Sequence, residues 1–123
     1  MMDNRVDDFK ELIVWKRAME LAKAAYFLSK LLPKEENYAL ADQIRRSAVS
    51  VASNIAEGYG RTSAREYVRF LAMARGSDYE LETQLLLCVD LGYLKDEEAA
   101  TALALGKEVA KMLTTIILKL GNG

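Results

Sequence analysis

The chain has 123 residues, of which 51% are hydrophobic and 28% charged, and its net charge is −1, as in an ordinary globular protein. This length allows one domain over residues 1–123, and no apolar segment approaches the about 20 residues that cross a bilayer. Because the first residues are polar and acidic and the single cysteine cannot form an internal disulfide, we expect a cytoplasmic protein without membrane contact.

Apolar residues recur at helical spacing in the first half of the chain, between the residues that break helices. We predict a first helix over residues 13–31, because Pro33 disfavours helical backbone at the position before it. A second helix is predicted over residues 37–57, where the Gly58-Tyr59-Gly60 segment ends it.

The second half of the chain repeats this pattern. A third helix is predicted over residues 63–91, beginning with a capping box in which Ser63 and Glu66 each satisfy a free backbone amide. A fourth is predicted over residues 96–120, where Asp96 is the N-cap. Four helices with short connections predict an all-α protein, an antiparallel up-down-up-down four-helix bundle.

The second and third helices carry more polar residues than an amphipathic helix needs. These are Gln43, Ser50, Asn54, Glu57, Ser77 and Glu80. Buried polar groups need hydrogen-bond partners, so the pattern predicts a buried network between the two helices. A subunit interface or a ligand groove is the other interpretation. Gly76, in the middle of a helix, suggests that a neighbouring helix approaches closely there.

Charge is distributed unevenly along the sequence. Residues 43–75 have a net charge of +4 and residues 78–108 a net charge of −6. Guanidinium groups suit phosphate or carboxylate, so the arginines of the first segment are candidate contacts for a nucleic acid or another partner. They are Arg45, Arg46, Arg61, Arg65, Arg69 and Arg75. The alternative is a solvated surface, or salt bridges to an acidic patch on a neighbouring subunit.

The sequence contains no histidine, which excludes Ser-His-Asp and Cys-His catalytic sites, di-iron ligand pairs and the usual zinc sets. It also lacks a glycine-rich phosphate loop. Cys88 lies on an apolar stripe and is expected to be a core thiol. A contact between Glu57 and Glu80 is the remaining route to acid–base chemistry. We therefore predict a protein that is not an enzyme and binds no cofactor or metal.

Several segments resemble the bacterial four-helix-bundle family of the 23S rRNA-intervening-sequence proteins, also called S23-like. The resemblance covers nearly the whole chain, and its most specific part is the Ser-Asn-Ile-Ala-Glu-Gly run over residues 53–58. The stretches that carry it lie at residues 12–18, 43–50, 53–58, 70–77, 80–85 and 91–93, together with Arg61. In that family a proline is commoner where Ala52 stands, and an uncharged residue where Asp78 stands.

The resemblance implies a four-helix bundle that assembles into a homopentamer and brings no catalytic residues. A related branch resembles accessory proteins that bind a reverse transcriptase and nucleic acid. The leading hypothesis is therefore an oligomeric, non-enzymatic scaffold that contacts RNA or a nucleic-acid-handling partner. The alternative is a purely structural or protein-interaction module that binds no nucleic acid.

Overall fold

The computed structural model describes residues 8–121, which form four long α-helices and two short 3₁₀ turns without any strand. The helices are α1 (Ile13–Ser29), α2 (Leu40–Tyr59), α3 (Ala64–Asp90) and α4 (Asp96–Gly121). Consecutive helices pack against each other, and α1 also packs against α4, whereas α1 and α3 lie diagonally across the core. The predicted all-α antiparallel bundle is confirmed. Residues 1–7, with most of the polar N-terminal segment, and residues 122–123 lie outside the described part.

The connection between α1 and α2 is longer than the sequence pattern predicts. Residues Lys34–Glu36 form a 3₁₀ turn after Pro33, so α2 begins at Leu40. The carboxylate of Glu36 accepts a hydrogen bond of 3.2 Å from the Leu40 amide, which satisfies one free donor at the start of α2. A side chain outside the helix therefore takes the capping role.

At the start of α3, half of the predicted capping box is present. The Ser63 hydroxyl oxygen accepts a hydrogen bond of 3.1 Å from the Glu66 amide. The Glu66 carboxylate, however, accepts from Arg69 one turn later. At the other end of α3, Gly92 has a φ of 82° and the Tyr93 amide donates to the Cys88 carbonyl, which ends the helix.

The core lies along the stripes that helical spacing predicts. Its largest fully buried apolar side chains are Leu21, Ile44, Val51, Ile55, Leu71, Leu81, Leu85, Val109 and Leu113. Cys88 is also fully buried, as expected of a core thiol. Burial raises the pKa of this thiol to about 11, so it is protonated and unreactive at neutral pH. No helix within residues 8–121 is long and apolar enough to cross a membrane.

The close helix approach predicted at Gly76 is wrong. Gly76 is exposed, and a Cβ placed there would meet no atom within 4 Å. The close approaches occur at Gly58 and Gly106. A Cβ at Gly58 would lie 2.6 Å from the Cβ of Phe70, and one at Gly106 would lie 3.0 Å from an oxygen of Asp78. These two glycines let α2 and α4 pack tightly against opposite sides of α3.

Candidate functional site

The six candidate arginines lie in three separate places. Arg45 and Arg46 lie on α2, where Arg45 reaches towards the end of α1 and donates to the Asn37 carbonyl at 2.8 Å and the Ser29 hydroxyl at 3.4 Å. Arg75 lies on the opposite side of the bundle, where it donates to the hydroxyl of Thr114 on α4 at 3.0 Å. The other three, Arg61, Arg65 and Arg69, lie where α2 joins α3.

We call Arg61, Arg65 and Arg69 the arginine cluster. Two of its members share one aromatic ring, because the guanidinium carbons of Arg61 and Arg69 lie 4.5 Å and 5.0 Å from the centroid of Phe70. Phe70 is only 7% exposed, so it is a fixed platform for both side chains. Arg65 is exposed and has no ion pair within the described residues.

Acidic side chains three or four residues away in the sequence partly offset this charge. Arg61 pairs with Glu57 and Arg69 with Glu66, each at 3.2 Å. The hydrogen bond from Arg69 lowers the pKa of Glu66, which keeps that carboxylate ionised at neutral pH. These pairs lie at the surface, where such contacts are weak. A phosphate can therefore compete with the two glutamates for the guanidinium groups.

The same arrangement occurs at Arg46, which forms a 2.8 Å ion pair with Asp42 one turn earlier on α2. The hydrogen bond from Arg46 lowers the pKa of Asp42. Arg46 is otherwise largely exposed. The pairs of Arg46, Arg61 and Arg69 all join residues of neighbouring turns, so none of them links two helices of the bundle.

The six candidate polar residues divide into two groups. Ser50, Asn54 and Ser77 meet between α2 and α3: the two serine hydroxyls are 2.8 Å apart, and the Asn54 amide nitrogen donates to the Ser50 hydroxyl at 3.0 Å. It also donates to the Ser50 carbonyl at 2.9 Å. All three are half-buried, so the group forms a small hydrogen-bonded network at the edge of the core.

Gln43, Glu57 and Glu80 are exposed on the single chain and take no part in this network. Glu57 pairs with Arg61, as described above, and Glu80 lies on the outward side of α3. The two glutamates therefore do not form a buried carboxylate pair. Their exposure leaves them available for contacts with another molecule.

The most unusual polar group is one that the sequence analysis did not select as a site residue. Asp78 on α3 is only 2% exposed, and its Oδ2 has no hydrogen-bond partner in the described structure. Burial, with a smaller effect of Glu82, raises the pKa of Asp78 to about 7. The void beside it has no room for a water molecule. Helical spacing places Asp78 on the inward stripe between Ala74 and Leu81, which is the signal that could have revealed it.

No group of three or more cysteine or acidic side chains within residues 8–121 could hold a metal ion. The surface depressions that involve α1 and α2 are open to solvent.

Comparison with known proteins agrees with this fold. A family model described as 23S rRNA-intervening sequence protein matches residues 10–115. A solved structure of a protein with unknown function from the S23 ribosomal protein family of Bacteroides thetaiotaomicron is similar, with a TM-score of 0.80 and 26% sequence identity. The similarity covers 85% of this chain and 98% of that one. Among curated proteins, no sequence match was found.

Proposed function

This chain belongs to the 23S rRNA-intervening sequence protein family, and we propose that it is an oligomeric, non-enzymatic binding scaffold. We further propose that the arginine cluster contacts the phosphates of an RNA. The scaffold is a homo-oligomer, with the five copies that the resemblance implies.

The arrangement of the arginine cluster is the observation that supports RNA contact most directly. Arg61 and Arg69 are held on Phe70, and Arg65 is exposed without an ion pair in the described structure. Guanidinium groups bind phosphate through two parallel hydrogen bonds and are weakly hydrated. Since their neighbouring glutamates are at the surface, exchange of a carboxylate for a phosphate requires no rearrangement of the core.

Self-association is supported by apolar side chains that the bundle leaves in solvent. Phe27 is 65% exposed and Tyr38 92% exposed, and Tyr26, Val49, Tyr79 and several leucines are also exposed. Contiguous apolar surface on a small protein is typical of a partner interface. A larger assembly would also repeat the arginine cluster, so several weak phosphate contacts could act together.

RNA titration of the triple variant Arg61→Gln, Arg65→Gln, Arg69→Gln tests the proposal. Loss of up to three phosphate contacts is expected to lower RNA affinity at least ~10-fold and to reduce the salt slope by about 2. The matched control is Lys95→Gln, Lys107→Gln, Lys111→Gln, which removes the same charge at exposed positions away from the cluster. RNA affinity equal to that of the wild type in the arginine variant would contradict the proposal.

The alternative function, a protein-interaction module without nucleic-acid binding, is favoured by a separate observation. Four of the six candidate arginines, all but Arg65 and Arg75, already pair with acidic residues of a neighbouring turn, and the overall charge is −1. In that case the wild-type protein binds no RNA even at low salt. The same titration therefore separates the two functions before any variant is made.

A further inference from the structure

Three adjoining depressions cover the outer side of α1, α2 and the connection between them. One depression lies along α1, a second lies between α1 and α2, and a third lies at the connection between them. Tyr26 lines the first and the second, Lys30 lines the first and the third, and Arg45 lines the second and the third. Their lining combines apolar and basic side chains. The apolar ones include Met19, Tyr26, Phe27, Tyr38 and Val49, and the basic ones are Lys23, Lys30, Lys34, Arg45 and Arg46. We call these ten residues the basic face. One acid, Asp42, also lines it and pairs with Arg46.

A second apolar surface lies on the outward side of the C-terminal half of α3. Tyr79, Leu86, Leu87 and Leu91 are each about half exposed. The charged residues beside them are Glu80, Glu82 and Asp90, and residues 76–94 contain no lysine or arginine. We call these seven residues the acidic face. It therefore resembles the basic face in its apolar content and has the opposite charge.

The two faces cannot cover each other within one chain. The basic face lies on the outer side of α1, α2 and their connection, whereas the acidic face lies on the outward side of α3, diagonally across the core from α1. Six of its side chains are exposed, whereas Glu82 is half-buried at its edge, beside the void next to Asp78. Each face of one copy is therefore free to meet the complementary face of another copy.

We propose that the basic face of one copy docks on the acidic face of the next. This inference rests on the self-association in the proposed function, and it assigns the two surfaces that carry it. Apolar side chains supply the buried area, and the opposite charges fix the orientation and oppose pairing of like faces. Because the contact joins two different surfaces, it is heterologous and builds a closed ring or an open chain.

Charge reversal tests this pairing. One variant, Lys23→Glu with Lys30→Glu, reverses part of the basic face, and a second, Glu80→Lys with Asp90→Lys, reverses part of the acidic face. All four side chains are exposed. Each variant alone should raise the protein concentration at half-assembly at least ~10-fold, because like charges then face each other. Combining all four substitutions should restore assembly, because the charges are again opposite.

The measurement is the mass from light scattering after size exclusion over a range of concentrations, with circular dichroism to check the helix content. The matched control, Lys107→Glu with Lys111→Glu, changes the charge equally on the outward side of α4 and should assemble like the wild type. Wild-type assembly in either two-residue variant, or no recovery in the fourfold variant, would overturn the inference and leave the proposed function standing. A wild-type protein that stays monomeric would overturn both the inference and the proposed self-association.

Discussion

On each of two sides of α3, a glycine on the facing helix allows close packing, but the polar groups nearby differ in whether they find hydrogen-bond partners. On the α2 side, Gly58 lets Phe70 approach, and Ser50, Asn54 and Ser77 satisfy one another. On the α4 side, Gly106 lies against Asp78, whose Oδ2 has no partner in the described structure. Close packing therefore stabilises the α2–α3 contact, whereas at the α3–α4 contact it buries a carboxylate oxygen without a hydrogen-bond partner.

This difference predicts that the two contacts respond differently to pH. The α2 contact contains no buried titratable group among the residues named, whereas the α4 contact contains Asp78. Glu82 is the other titratable side chain that lines the void beside Asp78, and it raises the pKa of Asp78 further. We expect the α3–α4 contact to weaken with rising pH and the α2–α3 contact to remain unchanged.

The largest expected effect is that Asp78→Asn removes a pH dependence of the free energy of unfolding. The pKa of Asp78 rises from 3.8 to about 7 on folding, so the folded state holds the proton more tightly than the unfolded state. Stability is therefore lost as pH rises from about 4 to about 7, by on the order of 4 kcal/mol. Asp78→Asn cannot ionise, so its advantage over the wild type should grow across this window. Urea unfolding of both proteins at pH 4.5, 6 and 8 measures it, and parallel pH profiles would contradict it.

The next effect is on the α2 side, where Gly58→Ala would place a Cβ 2.6 Å from the Cβ of Phe70 and 3.1 Å from a ring carbon of Tyr67. The Tyr67 ring can rotate, but the Cβ of Phe70 cannot move without shifting a helix, so we expect a loss of about 2–3 kcal/mol in the free energy of unfolding. Gly76→Ala is the matched control, because its Cβ would meet nothing and should stabilise α3 by up to about 1 kcal/mol. Equal stability of the two variants would show that α2 and α3 are not closely packed at Gly58.

A smaller effect is expected from Ser77→Ala, which removes one of the two hydrogen-bond partners of the Ser50 hydroxyl. The network is half-buried, so water can replace part of the lost hydrogen bond, and we expect a loss of about 1 kcal/mol. The Ser50→Ala, Ser77→Ala double variant tests whether the serines act together, since the two losses should not add. Additive losses in urea unfolding would mean that the 2.8 Å contact does not contribute.

Helical spacing predicted the architecture because the apolar residues of each core stripe recur every three or four positions within one uninterrupted segment. The same spacing places Asp78, four residues after Ala74, and Gly58, three residues after Ile55, on the inward sides of their helices. Their residue types, however, are not typical of buried helical positions. An acidic residue is usually exposed, and a glycine at a helix end is usually a terminator. For Gly76 the residue type suggested a close helix contact, whereas helical spacing places the position between Ala74 and Asp78 on the outward side of α3.

The net charge of a sequence segment could not predict that the six candidate arginines lie in three separate places. Arginines of the same basic segment that stand on different helices, such as Arg46 and Arg75, lie on different sides of the bundle, and only packing decides this. The shared platform for Arg61 and Arg69 depends on the orientation of Phe70, which follows from the close approach at Gly58. The fixed α2–α3 contact therefore also holds the arginine cluster.

The central proposal is an assembled scaffold whose arginine cluster contacts RNA. Light scattering after size exclusion of the wild-type protein, with and without a structured ribosomal RNA fragment, tests it most directly. The account predicts an oligomer that gains mass with RNA at low salt and loses this gain as salt rises, because phosphate contacts release counterions. An oligomer with the same mass in the presence and absence of RNA at low salt would contradict it.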